Sequence, residues 1–549
     1  MNHSISRRRF LQLLGAGAAG VVMTPWVRRL FAAASDPLQA LEPITYPFTF
    51  NVGDEADFVC RVPPPVKLSG TPDLEFTLEA NTGQVNILSG QATNVFTYNG
   101  QFIQGQPGRQ VTNIPGSFLG PIVQARTGDQ VRVHFTNNLP QQTIVHWHGL
   151  HVPTVMDGHP QYGIPPGQTY TYDFEIINRA GLYWFHPHPH MLTASQVNMG
   201  LAGLFIVSDS EEDAAALPHG PYDIPLVVQD RTFDSSNQFV YSGVGLYGFI
   251  GTTILVNGQP DPEKTVLNQT YRVRLLNGSN SRIYKFAWAD GTPLTVVATD
   301  GGLLATPIQR DYVTLAPAER AELLVDFSQW APGTDVVLKS LPFSGATPPI
   351  GSLPNGAELT VMIFHVAAAQ DTYLPLVPRQ SPAPLPPITP LSTFQRLNPA
   401  EAVNAGSPRT YTLYANGASW TINGHQFEMT GVATDEIFQI NTQEILEFIN
   451  VPPGGTGSNI EIAHPMHFHG AHFQVVGRTA PTDPTQYANW LTVKDGYTDE
   501  GWKDTVLLMP GERVQIQMLF QAYTGLYLYH CHNLEHEDMG MMRNYRVDA

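Results

Sequence analysis

Ten of the 19 histidines in this 549-residue chain fall into four short clusters. These are His146-Trp147-His148, His186-Pro187-His188, His464-Pro465-Met466-His467-Phe468-His469, and His530-Cys531-His532 followed by His536. Neutral imidazole is the commonest nitrogen ligand for zinc and copper. A single H-x-H pair has a plain structural reading, because two histidines can simply share one face of a strand. Four such pairs in one chain point to metal instead. On a strand, residues two apart share a face and neighbours oppose, so His530 and His532 point one way and Cys531 the other. By the same parity His467 and His469 share a face, while His464 projects opposite them unless Pro465 bends the strand. The chain therefore offers two sites back to back. One gathers His464, Cys531 and His536, the two-imidazole, one-thiolate set of a blue-copper electron-transfer centre, with Met541 as candidate for the weak axial thioether. The other gathers four imidazoles, to which the first two clusters add four more, enough for a cluster of metal ions rather than one.

Short period-two runs must position these clusters. Gln130-Val131-Arg132-Val133-His134-Phe135 and Arg513-Val514-Gln515-Ile516-Gln517-Met518 read as half-buried strands bounded by Gly, Pro or Asn. An internal repeat ties the two ends of the chain together. Pro166-Gly167-Gln168, a strand, and then Ala180-Gly181-Leu182-Tyr183-Trp184-Phe185-His186-Pro187-His188 are echoed by Pro510-Gly511-Glu512, a strand, and Thr524-Gly525-Leu526-Tyr527-Leu528-Tyr529-His530-Cys531-His532. A weaker middle copy opens at Asn257-Gly258, has a strand at Arg272–Asn277, and places Leu315-Ala316-Pro317-Ala318-Glu319-Arg320 where the others have Pro-Gly. It carries no H-x-H. Seven prolines between Pro375 and Pro390 mark a semi-rigid connector. The expected limits are 35–210, 211–370, a connector at 371–408, and 409–549, each unit long enough for a β-sandwich or Greek-key barrel.

Composition agrees with an all-β class. Hydrophobic residues make up 42 % and charged residues 14 %, and 48 glycines with 46 prolines lack any G-X-Y period. That combination reads as many turns between short strands and excludes collagen, coiled coil and charge-driven disorder. A formal charge of −18 repels phosphate backbones, so nucleic acid is excluded as a partner. Cys60 and Cys531 cannot form a disulfide framework, and pairing them would remove the thiolate, so Cys60 reads as a lone thiol. Ser6-Arg7-Arg8-Arg9-Phe10-Leu11, an apolar stretch Leu13–Met23 and Ala32-Ala33-Ala34 have the layout of an export signal over 1–34. The arginine pair with Phe and Leu behind it resembles a twin-arginine signal, which the export machinery for folded proteins reads. A general secretory signal or an organellar presequence shares that layout. No run of 18 apolar residues follows, so no membrane span is expected, and the destination is periplasmic or secreted in a bacterium.

The wording of the clusters carries a resemblance. His146-Trp147-His148-Gly149, the H-x-x-H-x-H run and His-Cys-His-x₃-His-x₄-Met resemble the three-domain multicopper oxidases of the laccase type over nearly the whole mature chain. The resemblance implies three cupredoxin-like Greek-key β-barrel domains and four copper ions: one type 1, one type 2 and two type 3. It assigns His464, Cys531, His536 and Met541 to type 1, and His146 and His467 to type 2. His148, His186, His188, His469, His530 and His532 go to the type 3 pair, between the first and last domains. It implies that a small reductant (a phenol, an arylamine or a metal ion) yields single electrons at type 1 copper. Cys531 then passes them through His530 and His532, and dioxygen takes four electrons to become water. Proton delivery needs carboxylates, and Asp157 and Glu537 fit the family pattern, each being otherwise a solvated loop acid. A bilirubin-oxidase-like enzyme or a cuprous or ferrous oxidase shares this framework, although the 13 methionines are scattered and form no insert to gather Cu(I). An exported copper-binding protein without activity would be expected to lose ligands, and a zinc hydrolase would not use Cys531, Met541 and eight imidazoles together. His151, His159, His190, His425 and His472 fall outside the pattern, and Trp502-Lys503-Asp504-Thr505 is expected to order the last sheet.

Overall fold

The structure, a computed structural model, describes residues 70–241, 245–368, 390–416, 419–450 and 461–549. The export signal expected at 1–34, Cys60 and residues 371–389 of the connector lie outside the described residues. Among the described residues six sheets form in three successive pairs along the chain. The first pair joins Thr93–Gly105, Leu74–Val85, Gln130–Asn137 and Thr169–Glu175 in one sheet, and Gln110–Thr112, Ile122–Arg126, Gly203–Ser208, Gly181–Pro187 and Val145–His146 in the other. Leu74–Val85 shows why: Leu74, Phe76, Leu78 and Ala80 are buried while the residues between them are not, the alternation a one-sided strand requires. The two inner faces enclose a core around Trp147, Tyr172, Phe185 and Phe205. Comparable cores lie around Trp288, Phe327 and Phe364 in the middle pair and around Trp420, Phe448, Phe468 and Met518 in the last.

Each of the six sheets contains one parallel pair, for example Leu74–Val85 with Gln130–Asn137, Asp223–Arg231 with Thr270–Asn277, and Arg409–Asn416 with Thr442–Ile449. Parallel neighbours cannot be joined by a hairpin, so the chain crosses to the facing sheet and returns in every unit. The repeat seen in the sequence recurs in one turn. Asn137 and Gly167, Asn277 and Ala318, and Asn450 and Gly511 are joined alike: the second residue's N–H donates to the asparagine carbonyl at 2.7, 2.8 and 2.6 Å. Gly167 and Gly511 adopt φ of 74° and 79°, and in the middle unit Ala318 is held at φ 74°, a region that costs an L-residue about 1–2 kcal/mol. Asn257-Gly258 does not open the middle unit, as the sequence suggested. Asp223–Arg231 is its first strand, and Asn257 (φ 51°) with Gly258 (φ 83°) makes the two-residue turn of a small hairpin between Thr253–Val256 and Gln259–Pro260. Among the described residues no helix is long and apolar enough to cross a membrane.

In the last unit His464–Phe468 lies between Thr505–Leu508 and Gly525–Cys531, with Met466 opposite Cys531 and His467 opposite His530. Residues opposite one another in an antiparallel pair share a face. Met466 and Cys531 therefore belong to the core side of the sheet, and His467 and His530 to the side that meets the first unit.

Candidate metal centre

Two groups of ligand-type side chains form on opposite faces of that sheet. On the core side, Cys531 Sγ stands 3.4 Å from His464 Nδ1 and 3.5 Å from His536 Nδ1. His464 begins its strand and Cys531 ends the next, while His536 reaches the site from the short helix Leu534–Asp538, where its N–H donates to the Asn533 side chain. The chain then turns back: Met541 N–H donates to His536 O at 2.9 Å, and Cys531 N–H donates to Met541 O at 3.0 Å, so Met541 packs beside the cysteine. Trp420 closes the site, its ring centroid 4.8 Å from that of His464 and 4.5 Å from that of His536. The far edge of His536 meets the half-buried Leu246, with Nε2 donating to its carbonyl at 3.1 Å. Burial pushes His464 down to about 3, and burial with the His464 imidazole holds His536 well below the ordinary histidine value. Burial pushes the Cys531 thiol up. The imidazoles are thus in their ligating form, and a thiolate here calls for a cation beside it.

On the other face eight buried imidazoles meet between strands of the first and last units. His146 Nε2 lies 3.4 Å from His467 Nε2, His188 Nε2 3.3 Å from His530 Nε2, His469 Nε2 3.2 Å from His530 Nε2, and His148 Nδ1 3.4 Å from His186 Nε2. Two nitrogens sharing a cation at ~2.0–2.1 Å stand roughly 3–4 Å apart, so these separations suit a shared ion. The ligand atoms of His148, His186 and His532 converge within 4.8 Å, as do those of His188, His469 and His530, and those of His146, His148 and His467. Outer nitrogens are anchored. His146 Nδ1 donates to Asp157 O at 2.7 Å, His467 Nδ1 to Asp504 O at 2.8 Å, His469 Nδ1 to Asp157 Oδ2 at 2.7 Å and His186 Nδ1 to Pro187 O at 2.9 Å. Such bonds fix the tautomer that leaves the inner nitrogen free to ligate. Both ring nitrogens of His532 and Nδ1 of His188 are buried without a hydrogen-bond partner. A bound metal would satisfy the inward-facing nitrogens, and the donor set fits copper. Burial first, then neighbouring imidazoles, hold His186, His188 and His469 well below the usual histidine value, and His148 is held there by burial and His532 above all.

Both acids singled out in the sequence reach this cluster. Asp157 follows the turn Thr154–Met156 and bonds two of its histidines, through its carbonyl and through Oδ2, while Oδ1 has no hydrogen-bond partner. Glu537 lies with Oε2 3.2 Å from His530 Nδ1 and Oε1 3.5 Å from His188 Nε2, in ion-pair reach but outside hydrogen-bond geometry. The other five histidines singled out in the sequence stay outside. His159 Nε2 donates to Asn544 Oδ1, His472 Nε2 donates to Gly149 O, His151 meets His472 edge to face, His190 packs against Phe427 with tilted rings, and His425 sits in a turn with Ile422.

Asp504 is what the sequence reading missed. Lys503 and Thr505 do order the sheet, Lys503 bridging Phe473 and Thr505 opening a strand. Asp504 between them, however, receives His148 Nε2 at 3.0 Å on Oδ1 and His467 Nδ1 on its carbonyl. Burial raises its carboxyl, but the Arg320 guanidinium outweighs that and holds it well below the usual carboxylate range. The lone acid in a polar run gave no signal of this, because Arg320 and His148, which its carboxylate joins, lie 184 and 356 positions away.

Comparison with known proteins followed the same outline. Models of the multicopper oxidase family match residues 103–212, 225–349 and 399–549. A bilirubin oxidase from Albifimbria verrucaria is 31 % identical over 441 residues, covering 78 % of this chain and 71 % of its own. A laccase from Bacillus stratosphericus is 30 % identical over 483 residues, covering 78 % and 89 %. The crystal structure of the McoA multicopper oxidase from the hyperthermophile Aquifex aeolicus superposes with a TM-score of 0.72 at 34 % identity, covering 87 % of this chain and 97 % of that one. The fold is thus all-β and cupredoxin-like.

Proposed function

This chain belongs to the multicopper oxidase family and is a laccase-like copper oxidoreductase that uses oxygen, and we propose that it oxidises phenols or aromatic amines one electron at a time while reducing dioxygen to water. The observation that carries this reading is the run His530-Cys531-His532, in which one side chain enters the mononuclear group and its two covalent neighbours enter the imidazole cluster. Copper in these groups would supply the one-electron steps and the site for oxygen. In this reading His464, Cys531, His536 and Met541 hold type 1 copper, and His146 with His467 hold type 2. His148, His186 and His532 form one half of the type 3 pair, and His188, His469 and His530 the other. The convergence of each trio supports that division.

The chain's own residues perform the remaining tasks. Trp420 and the surrounding core exclude water from Cys531. His536, through Nε2 against the half-buried Leu246 carbonyl, marks the side from which a reductant's electron is received. Glu537 and Asp157, each with a buried carboxylate oxygen lacking a hydrogen bond, hold protons for the reduced oxygen. The units 35–210, 211–370 and 409–549 are three cupredoxin domains joined after the second by the connector 371–408. Residues 1–34 direct twin-arginine export to the periplasm or beyond. A bilirubin-oxidase-like or cuprous or ferrous oxidase would use the same two centres and differ only at the reductant.

Metal analysis with a visible spectrum tests the proposal, together with the ratio of donor oxidised to oxygen consumed. Copper, a strong blue band and four electrons per dioxygen are expected. Zinc, or no colour with full copper, overturns it. Turnover of a phenol, bilirubin, Fe(II) and Cu(I) on one loaded sample then ranks the reductants.

A further inference from the structure

Arg320 belongs to the middle unit, the one without any H-x-H, yet its wholly buried side chain ends at the imidazole cluster. All five of its N–H groups are satisfied, and their acceptors come from all three units. Nε donates to Leu182 O at 3.0 Å in the first. Nη1 donates to Ala318 O at 3.1 Å and Nη2 to Asp300 O at 2.9 Å in the middle. The remaining two N–H groups form a fork on Asp504 of the last unit, Nη1 to Oδ1 at 2.7 Å and Nη2 to Oδ2 at 2.6 Å. Lys503 repeats the pattern one residue away, its Nζ donating to Asp300 Oδ2, Glu319 Oε1 and Thr498 Oγ1 at 3.0, 3.1 and 3.2 Å.

The fork matters because of what Asp504 does next. Its Oδ1 accepts the Nε2 proton of His148, so His148 turns Nδ1 toward His186. His146, His186, His467 and His469 do the reverse, using Nδ1 outward. Thr505 Oγ1 also lies 3.4 Å from His148 Nε2, but a hydroxyl can donate or accept and so dictates no tautomer. An ionised carboxylate at that spot does, because it can only accept, and a two-pronged guanidinium is the group that fixes both oxygens of a carboxylate at once. We propose that Arg320, acting through Asp504, is a positioning residue that selects which nitrogen His148 offers to the metal, so that the ligand-free middle unit takes part in assembling the cluster.

The inference rests on the reading that the imidazole cluster holds copper, and the test separates the two. Arg320→Met, Arg320→Lys and Asp504→Asn are loaded in parallel with the unmutated protein. Copper per chain, the blue absorption and the electron paramagnetic resonance of the non-blue copper are then measured. Loss of an anchor of this kind lowers metal affinity about 10- to 100-fold. At limiting copper all three variants are therefore expected to lose cluster copper and to change the non-blue resonance while the blue band stays. Lysine should not restore the signal, since it keeps the charge without the fork. Full copper and an unchanged resonance in the variants overturn the inference. A parallel loss of blue band and cluster copper also overturns it, because that is what a merely structural arginine gives. If the unmutated chain takes up no copper outside the blue centre, the functional reading itself fails, and this inference with it.

Discussion

Glu537 stands with Oε2 3.2 Å from His530 Nδ1, and His530 is covalently joined to the cysteine of the mononuclear site. The acid is thus placed beside the cluster rather than beside the donor edge of His536. Glu537→Gln and Asp157→Asn keep size and remove the exchangeable proton. Removing a general acid typically costs about 10²- to 10⁴-fold, and steady-state oxygen uptake should fall in that range with the blue absorption intact. Unchanged turnover in both variants would falsify the assignment.

Metal-free protein should be acid-sensitive in a defined direction. Burial holds His148, His186, His188, His464, His467, His469, His532 and His536 below the ordinary histidine value in the fold. The unfolded chain then binds more protons than the native one below ~6.5, so stability is full above that pH and is lost as pH falls from ~6.5 toward the folded values, about 3 for His464. Each imidazole adds up to about 1.4 kcal/mol per pH unit in that window. Denaturant midpoints of the apoprotein between pH 8 and pH 5 should drop steeply. A flat apoprotein curve contradicts the burial argument.

Gly149 follows His148 at φ 85°, and a Cβ there would lie 2.6 Å from Asp504 Oδ2 and 2.9 Å from Arg320 Nη2. Gly149→Ala therefore combines a left-handed backbone penalty of about 1–2 kcal/mol with overpacking of about 1–3 kcal/mol. A lowered melting temperature together with reduced copper per chain is expected. Wild-type values for both would show that the carboxylate and guanidinium can move aside.

Trp420 is completely buried between the rings of His464 and His536. Trp420→Ala should cost about 3–5 kcal/mol in denaturant unfolding and shift the redox potential of the blue centre by admitting water. A variant with the parent's potential and stability would rule out a sealing role.

The placement of the ligand-type side chains was legible where they lay in contiguous runs. Parity along Gly525–Cys531 separated Cys531 from His530 and His532, and spacing alone put His464 opposite His467, because strand geometry is local. Asp504 and Arg320 were invisible because their meaning lies in contacts across 184 positions. Asn137, Asn277 and Asn450 hold three equivalent turns, yet asparagine before a loop is too common to single out. Asn257-Gly258 misled for a related reason: the dipeptide announces a tight reversal but not which unit it serves.

His146 and His467, whose Nε2 atoms face each other, are 321 positions apart. A chain that has made only the first stretch carries half of the facing imidazoles, His146, His148, His186 and His188. The complete ring of eight imidazoles is consequently assembled only when the final unit has been made and has docked on the first.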